Sequence, residues 1–213
     1  MAVDCSGEDD SDAFQAAIDQ AAKEGRTTIY FTKAVGKGGL AISKQIRVHG
    51  SVNRIIGLSK ILWISEAGSI KPGDAVFVLE DLKGPLVIER FFNFLQLGAW
   101  KGLYDRYLFD NRSAHPVIVR NISQGACMHK KPAPGKVWFI EDVAGAKMAQ
   151  FGKGERCWMR QYNPESPDLD MCVVDGGQVW ILGLKTEGRA RHVVATGGAK
   201  VELLGRSEEH TSE

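Results

Sequence analysis

The first regular pattern of apolar and polar residues in the chain is that of an amphipathic helix. Apolar residues recur at helical spacing, at Phe14, Ala17, Ile18, Ala21 and Ala22. Residues 9–12 before them offer side-chain oxygens and negative charge, which favour a helix start. Gly25 supplies a helix stop. The pattern predicts one helix over residues 11–24.

Beyond the helix, the apolar residues form short runs that are typical of β-strands. Gly, Asn, Asp or Ser residues separate these runs, which cover residues 28–31, 46–48, 55–56, 61–64, 75–79 and 85–88. Residues 91–113 are less regular, and we expect an excursion or a loop there.

From residue 117 the runs recur at a regular interval. They start at Val117, Val137, Cys157, Val179 and Val201, which are 20, 20, 22 and 22 residues apart. A Val-Val pair followed by a Gly-Gly pair recurs with them, within residues 173–177 and 193–198. One strand in about 20–22 residues is too short for a strand–helix–strand unit of about 30. The period favours a solenoid of short strands and turns that stack on one another.

Strand alternation assigns the side chains of these five runs to two faces. The first and third positions are apolar and are predicted to point into the core: Val117/Val119, Val137/Phe139, Cys157/Met159, Val179/Ile181 and Val201/Leu203. The second and fourth positions are predicted to point outward. Strands stacked about 4.8 Å apart would place Trp138, Trp158 and Trp180 one above another, with Arg120 and Arg160 beside them.

Composition and charge narrow the class of protein. The chain has 213 residues, 44% hydrophobic and 25% charged, which is typical of a folded globular chain. A net charge of +1 argues against a nucleic-acid partner, which favours a basic face. No apolar run approaches the roughly 18 residues of a membrane span, and no signal-peptide pattern is present. The four cysteines form no C-x-x-C pair, so no metal site is expected, and their disulfide status stays open.

Residues 206–213 read as the translation of a sequencing-library adapter. The codons AGA-TCG-GAA-GAG-CAC-ACG-TCT-GAA encode this segment in order. We therefore expect residues 1–205 to be the incomplete N-terminal part of one domain and residues 206–213 to be an artefactual tail. An unfinished solenoid lacks the polar cap of its last coil, so we also expect self-association through that open C-terminal coil.

The segment from Gly7 to Ala22, followed by the Thr-Ile-Tyr-Phe strand at residues 28–31, resembles the opening of the pectate-lyase-like superfamily. Residues 178–188 are also similar to bacterial members of that superfamily. The resemblance implies an all-β fold, a right-handed, single-stranded parallel β-helix capped by the N-terminal helix. It also implies a bacterial, secreted or cell-surface protein that is associated with polysaccharide.

The predicted outward residues suit a polysaccharide partner. Pyranose C–H faces pack on aromatic rings, and Arg guanidinium groups bind sugar carboxylates in bidentate fashion. Trp138, Trp158, Trp180, Arg120 and Arg160 are therefore the candidate substrate-binding residues. Alternatively, the tryptophans are covered by residues 91–114, by a missing C-terminal part or by another subunit, because large apolar patches are usually covered or functional.

The sequence indicates possible catalytic residues less specifically than it indicates the binding residues. A glycoside hydrolase needs two carboxylates about 5–5.5 or 6.5–9.5 Å apart, whereas a uronate lyase needs a base such as Lys or Arg beside carboxylate-bound Ca²⁺. Arg160 with Asp168 or Asp170 is the grouping that fits the lyase scheme. No cofactor is expected, except Ca²⁺ if the protein is a lyase. Since the superfamily also includes non-catalytic spikes, a structural or adhesive β-helix module is the competing hypothesis.

Overall fold

The computed structural model describes residues 1–3, 9–31, 39–64, 68–71, 73–96, 107–123, 127–129, 132–146 and 148–209. This part of the chain is mostly β-strand, with 17 strands and one helix. In chain order, the elements are β1 (Ala2–Val3), α1 (Ser11–Glu24), β2 (Thr28–Phe31), β3 (Gly39–Ile42), β4 (Ile46–Gly50), β5 (Arg54–Ile64), β6 (Ala75–Leu82), β7 (Leu86–Gln96), β8 (Tyr107–Asn111), β9 (Val117–Ser123), β10 (Cys127–His129), β11 (Val137–Ala146), β12 (Ala149–Phe151), β13 (Arg156–Pro164), β14 (Cys172–Asp175), β15 (Gln178–Glu187), β16 (Val193–Thr196) and β17 (Lys200–Glu209).

The strands form two parallel sheets. The first sheet has the order β1-β2-β5-β7-β9-β11-β13-β15-β17, with β3 also paired to β5. The second sheet has the order β4-β6-β8-β10-β12-β14-β16. From β4 onward, successive strands therefore alternate between the sheets. The recurring Val-Val pairs lie in β14 and β16 of the second sheet, so the two motifs of the sequence repeat correspond to the two sheets.

The helix α1 covers the predicted residues and lies at one end of both sheets. Gly25 ends it in the left-handed conformation, with a φ of 70°. The helix contacts β1, β2 and β4, which are first or near the first in the two sheets. The ring of Phe14 lies 4.9 Å from that of Phe31 and 6.0 Å from that of Phe77, so the helix packs on strands of both sheets.

Successive strands of the first sheet bend at a residue in the left-handed conformation. These corner residues are Arg90 (φ 62°), Asn121 (52°), Asp142 (51°), Gln161 (52°), Gly183 (79°) and Gly205 (79°). The register aligns them across β7, β9, β11, β13, β15 and β17, because the residues on either side of each bend are paired. Asn121 Nδ2 also donates to Asp142 Oδ2 at 2.9 Å. The aligned bends keep the strands in register on both sides of the corner.

The core lies between the two sheets and takes one inward row of side chains from each strand. Six of the ten residues predicted to point inward are buried: Val117, Val119, Cys157, Met159, Val179 and Ile181. Leu203 is in register with Ile181 but is 39% exposed. It is exposed because β17 is the outermost strand of its sheet in the described part of the chain.

The predicted faces of β11 are wrong. Trp138 is 0% exposed and Phe139 is 39% exposed, the reverse of the expectation. Trp138 pairs with Val117 and with Cys157, so this strand is displaced by one residue from the regular interval. A displacement of one residue moves every side chain of a strand to the opposite face. Trp138 therefore fills the core, where its ring lies 4.5 Å from that of His129.

Two other predictions concern segments near these strands. The excursion or loop predicted over residues 91–113 is partly wrong, because residues 91–96 continue β7 and residues 107–111 form β8. Residues 97–106 lie outside the described residues. Residues 206–209 continue β17 in register with β15, and their artefactual origin stays a prediction.

Among the described residues, the 14-residue α1 is the one helix, and it lacks the length and apolar character that crossing a membrane requires.

We expect Gly183→Ala to lower the free energy of unfolding by about 1 kcal/mol. A side chain in the left-handed conformation costs roughly 1–2 kcal/mol, and the less flexible unfolded chain offsets part of that cost. Steric crowding does not add to this loss of stability, because the atom nearest to the new Cβ is 3.8 Å away. Urea denaturation measures the change.

Gly84→Ala is the matched control for this corner variant. A Cβ at Gly84 would meet open space, and its φ is outside the left-handed region. Its free energy of unfolding should therefore stay unchanged or rise slightly. Equal stability of the two variants would show that the corner does not depend on the left-handed conformation.

Candidate functional site

The outward face of the first sheet carries two columns of side chains. Each column takes one residue from every successive strand, because the strands pair in register. The first, which we call the aromatic column, consists of Ile118, Phe139, Trp158, Trp180 and Glu202. The second, which we call the charged column, consists of Glu89, Arg120, Glu141, Arg160, Leu182 and Leu204.

The rings of the aromatic column stack on one another. The Phe139 and Trp158 centroids are 5.2 Å apart with planes 16° apart, and those of Trp158 and Trp180 are 4.8 Å and 7° apart. The predicted stacking of Trp158 and Trp180 is confirmed, whereas Phe139 takes the place predicted for Trp138. Trp158 lies between two nearly parallel rings, so both of its faces are turned towards a neighbouring ring and its edge is turned outward. The Arg156 guanidinium carbon lies 5.9 Å from the Trp158 ring, within cation–π range.

Glu89 anchors the charged column. It occupies an outward position but is 1% exposed. Arg54 Nε donates to its Oε1 at 2.6 Å, and Arg120 Nε donates to its Oε2 at 2.7 Å. Burial by itself would raise the pKa of Glu89, but the hydrogen bonds and charges of Arg120 and Arg54 outweigh burial and lower that pKa. Glu89 is therefore ionised at neutral pH and fixes the direction of Arg120.

Glu141 and Arg160 form the next pair in the charged column. Arg160 Nη2 lies 2.8 Å from Glu141 Oε1, and the two side chains are 61% and 37% exposed. Arg120 is 38% exposed. Arg160 lies on the strand of Trp158, two residues further along, whereas Arg120 lies on the strand of Ile118, one strand away from the ring of Phe139. Exposed ion pairs contribute only about 0–1 kcal/mol, so a ligand can compete for the Glu141–Arg160 pair.

A cavity of about 320 Å³ lies along the two columns. Its lining includes the three stacked rings, Leu182, Leu204 and the Glu141–Arg160 pair. Sequence reasoning located Trp158, Trp180 and the two arginines. The sequence also predicted Leu182 and Leu204 to point outward, and both are 55% exposed, whereas it did not assign Phe139, Glu89 or Glu141 to this face. The result is an apolar surface with alternating charges along one side.

The predicted catalytic residues contact different partners in the structure. Arg160 pairs with Glu141, whereas Asp170 accepts two hydrogen bonds of 2.7 Å from Arg191. These bonds lower the pKa of Asp170, which is therefore an ionised and engaged carboxylate. Asp168 is exposed in the segment before β14. No described contact joins Arg160 to Asp168 or Asp170.

A second titratable pair lies inside the core, away from this face. His129 Nε2 is 3.0 Å from Glu155 Oε1, and the two side chains are 1% and 0% exposed. The backbone N–H of Gly152 donates to Glu155 Oε2 at 2.8 Å. The rings of Trp138 and Phe151 contact that of His129. A polymer has no access to this pair, so we assign it to the core.

We expect Glu89→Gln to lower the free energy of unfolding by about 2 kcal/mol at pH 7, because Arg54 and Arg120 lose their charged partner. The folded-state pKa of Glu89 lies below its ordinary value. Its contribution is therefore complete above about pH 5 and disappears as the pH falls through the folded pKa. Urea denaturation should show a large difference between wild type and variant at pH 7, and this difference should shrink as the pH is lowered below about 4.

Glu80→Gln is the matched control for this prediction. Glu80 also lies between two arginines, Arg47 and Arg112, but its side chain is 26% exposed. We expect Glu80→Gln to lower the free energy of unfolding by less than about 1 kcal/mol, because solvent screens the ion pairs of Glu80. Equal losses for Glu89→Gln and Glu80→Gln at pH 7 would contradict the anchoring role of Glu89.

The wider comparisons do not identify this site. The chain matches no model of a known protein family, no curated protein and no solved structure. Among the described residues, no three His, Cys, Asp or Glu side chains are grouped so that they could hold a metal ion. The function of the outward face is therefore inferred from its own geometry and chemistry.

Proposed function

We propose that this protein binds an extended polysaccharide along the outward face of its first sheet. The observation that carries the proposal is the stack of Phe139, Trp158 and Trp180 beside the arginines of the charged column. A sugar chain presents apolar C–H faces together with hydroxyl or carboxylate groups. An apolar surface flanked by guanidinium donors is complementary to both.

The proposal includes a specific architecture, a right-handed, single-stranded parallel β-helix of the pectate-lyase-like kind with α1 as its cap. The alternation of strands between two sheets from β4 onward supports it, as does the position of α1 at one end. In a β-helix, one face runs across many strands without interruption. Such a face suits a long polymer on a bacterial, exported protein.

The polymer in this proposal runs along the columns, across the strands. Neighbouring side chains of one column are about 4.8 Å apart, which is close to the length of one pyranose in a chain. The three rings therefore offer contacts to about three consecutive sugars, one for each strand.

Cleavage is not part of this proposal, because the carboxylates of the face are poorly placed for it. Glu141 and Glu202 are three strands apart, about 14 Å, beyond the roughly 9.5 Å limit for an inverting hydrolase. Glu89 is nearer to Glu141, but it is 1% exposed and is paired with two arginines. An enclosed, doubly paired carboxylate cannot act as a general acid or base for a polymer.

One observation favours a second candidate function, that of a structural or adhesive module. Leu182 and Leu204 are each 55% exposed, and they are paired neighbours on β15 and β17. An exposed apolar patch favours association with another chain.

We expect Trp180→Ala to weaken polysaccharide binding about tenfold, which corresponds to about 1.4 kcal/mol, because it removes one of the three rings. Isothermal titration against acidic and neutral polysaccharides measures the affinity. Assays of unsaturated products and of reducing ends on the same samples would reveal any lyase or hydrolase activity.

Phe92→Ala is the matched control for ring removal. Phe92 is an aromatic residue that is 53% exposed and lies outside both columns. Its replacement should leave the affinity unchanged. The proposed site would be refuted if Trp180→Ala and Phe92→Ala lost the same amount of affinity, or if the wild type bound no polysaccharide.

The adhesive alternative makes a different prediction. If the β17 end mediates self-association, the sedimentation coefficient should rise with protein concentration, and Leu204→Lys should abolish that rise by placing charge in the patch. Leu58→Lys is the control, because Leu58 is 46% exposed but lies on β5. A protein that remains monomeric at high concentration would exclude this alternative.

A further inference from the structure

We propose that the outward face selects a polysaccharide in which acidic and neutral sugars alternate. This inference rests on the proposed function and adds the class of ligand. It comes from the order of charges along one column, which is negative at Glu89, positive at Arg120, negative at Glu141 and positive at Arg160. These residues occupy four successive strands in register.

The two arginines set the spacing of the acidic groups. Arg120 lies on β9 and Arg160 on β13, with β11 between them, so they are two strand spacings apart, about 10 Å. A sugar chain that runs along the columns advances about one sugar for each strand. Its carboxylates meet both arginines when every second sugar is acidic.

Both guanidinium groups keep donors for a ligand. The bond from Arg120 to Glu89 uses Nε, and the contact of Arg160 with Glu141 uses Nη2. A guanidinium group has five N–H donors, and the two side chains are 38% and 61% exposed. Glu89 holds the Arg120 guanidinium in place, which reduces the entropy lost when a carboxylate binds.

Glu141 discriminates against a chain in which every sugar is acidic. Its carboxylate lies on the strand between the two arginines and is 37% exposed. The middle sugar of a continuous polyuronate would bring a like charge to this position, whereas a neutral sugar can donate hydroxyl hydrogen bonds to it. Repulsion of the wrong ligand is a common source of specificity. One such contact in a solvated site corresponds to about a fivefold change in affinity.

The aromatic column reinforces the same arrangement. Phe139 and Trp158 lie on the strands of Glu141 and Arg160, two residues earlier in each strand. A neutral sugar opposite Glu141 therefore has an aromatic ring beside it, and so does the acidic sugar opposite Arg160. The rings thus supply an apolar contact to each sugar in turn, and the alternation of charge sets the repeat of two sugars.

The test compares three oligosaccharides of equal length by isothermal titration. One alternates glucuronate with N-acetylglucosamine, one is a continuous oligogalacturonate, and one is a neutral oligomer of N-acetylglucosamine. The wild type should bind the alternating oligomer at least about fivefold more tightly than the continuous one. Equal or tighter binding of the continuous oligomer would overturn the inference while leaving polysaccharide binding intact. Failure to bind all three would overturn the proposed function and, with it, the inference.

A charge-neutral variant tests the part played by Glu141. Glu141→Gln should reduce the preference for the alternating oligomer about fivefold, chiefly by improving the binding of the continuous oligomer. Glu187→Gln is the matched control, because the Glu187 side chain is 33% exposed and lies 3.1 Å from Lys185 in a similar ion pair, but it lies outside both columns and outside the cavity. It should leave the preference unchanged. An unchanged preference in Glu141→Gln would overturn the assigned role of Glu141.

Discussion

Parallel, in-register hydrogen bonding between successive strands is the constraint on which the rest of the structure depends. Because the strands from β9 to β15 repeat the register of their neighbours up to the corner, side chains with equivalent positions align into columns. Inward columns form a continuous apolar core, and outward columns form the aromatic stack and the line of charges. Neither outward column would exist if the strands were displaced from one another by one residue.

The corner residues show how this register is maintained around a bend. A left-handed residue is unfavourable for most side chains, yet Arg90, Asn121, Asp142 and Gln161 adopt it at aligned positions. The hydrogen bonds that the aligned bends allow before and after the corner offset this conformational cost. The last two corners are Gly183 and Gly205, for which the conformation carries no steric cost. The outward columns lie just before this corner, so its alignment also sets the geometry of the proposed binding face.

Local signals in the sequence were sufficient for the helix at residues 11–24 and for the stacking of Trp158 on Trp180. The face of β11 could not be obtained from a constant period, because the corner residues from Asn121 onward are 21, 19, 22 and 22 residues apart. A polar or glycine residue after each outward position, as in Glu141-Asp142 and Leu182-Gly183, would have indicated this spacing. The burial of Glu89 could not be predicted, because it depends on the register of residues 54, 89 and 120, which are far apart in the chain.

Disulfide trapping at the corners tests the central claim of in-register stacking most directly. Asn121, Asp142 and Gln161 are exposed and lie on successive strands, about 4.8 Å apart, within the roughly 4.4–6.8 Å Cα separation of a disulfide. Asn121→Cys with Asp142→Cys, and Asp142→Cys with Gln161→Cys, should each form a disulfide that peptide mass mapping detects. Asn121→Cys with Gln161→Cys spans two strand spacings and should not form one. Efficient trapping of this last pair, or failure of both adjacent pairs, would contradict the stacked register.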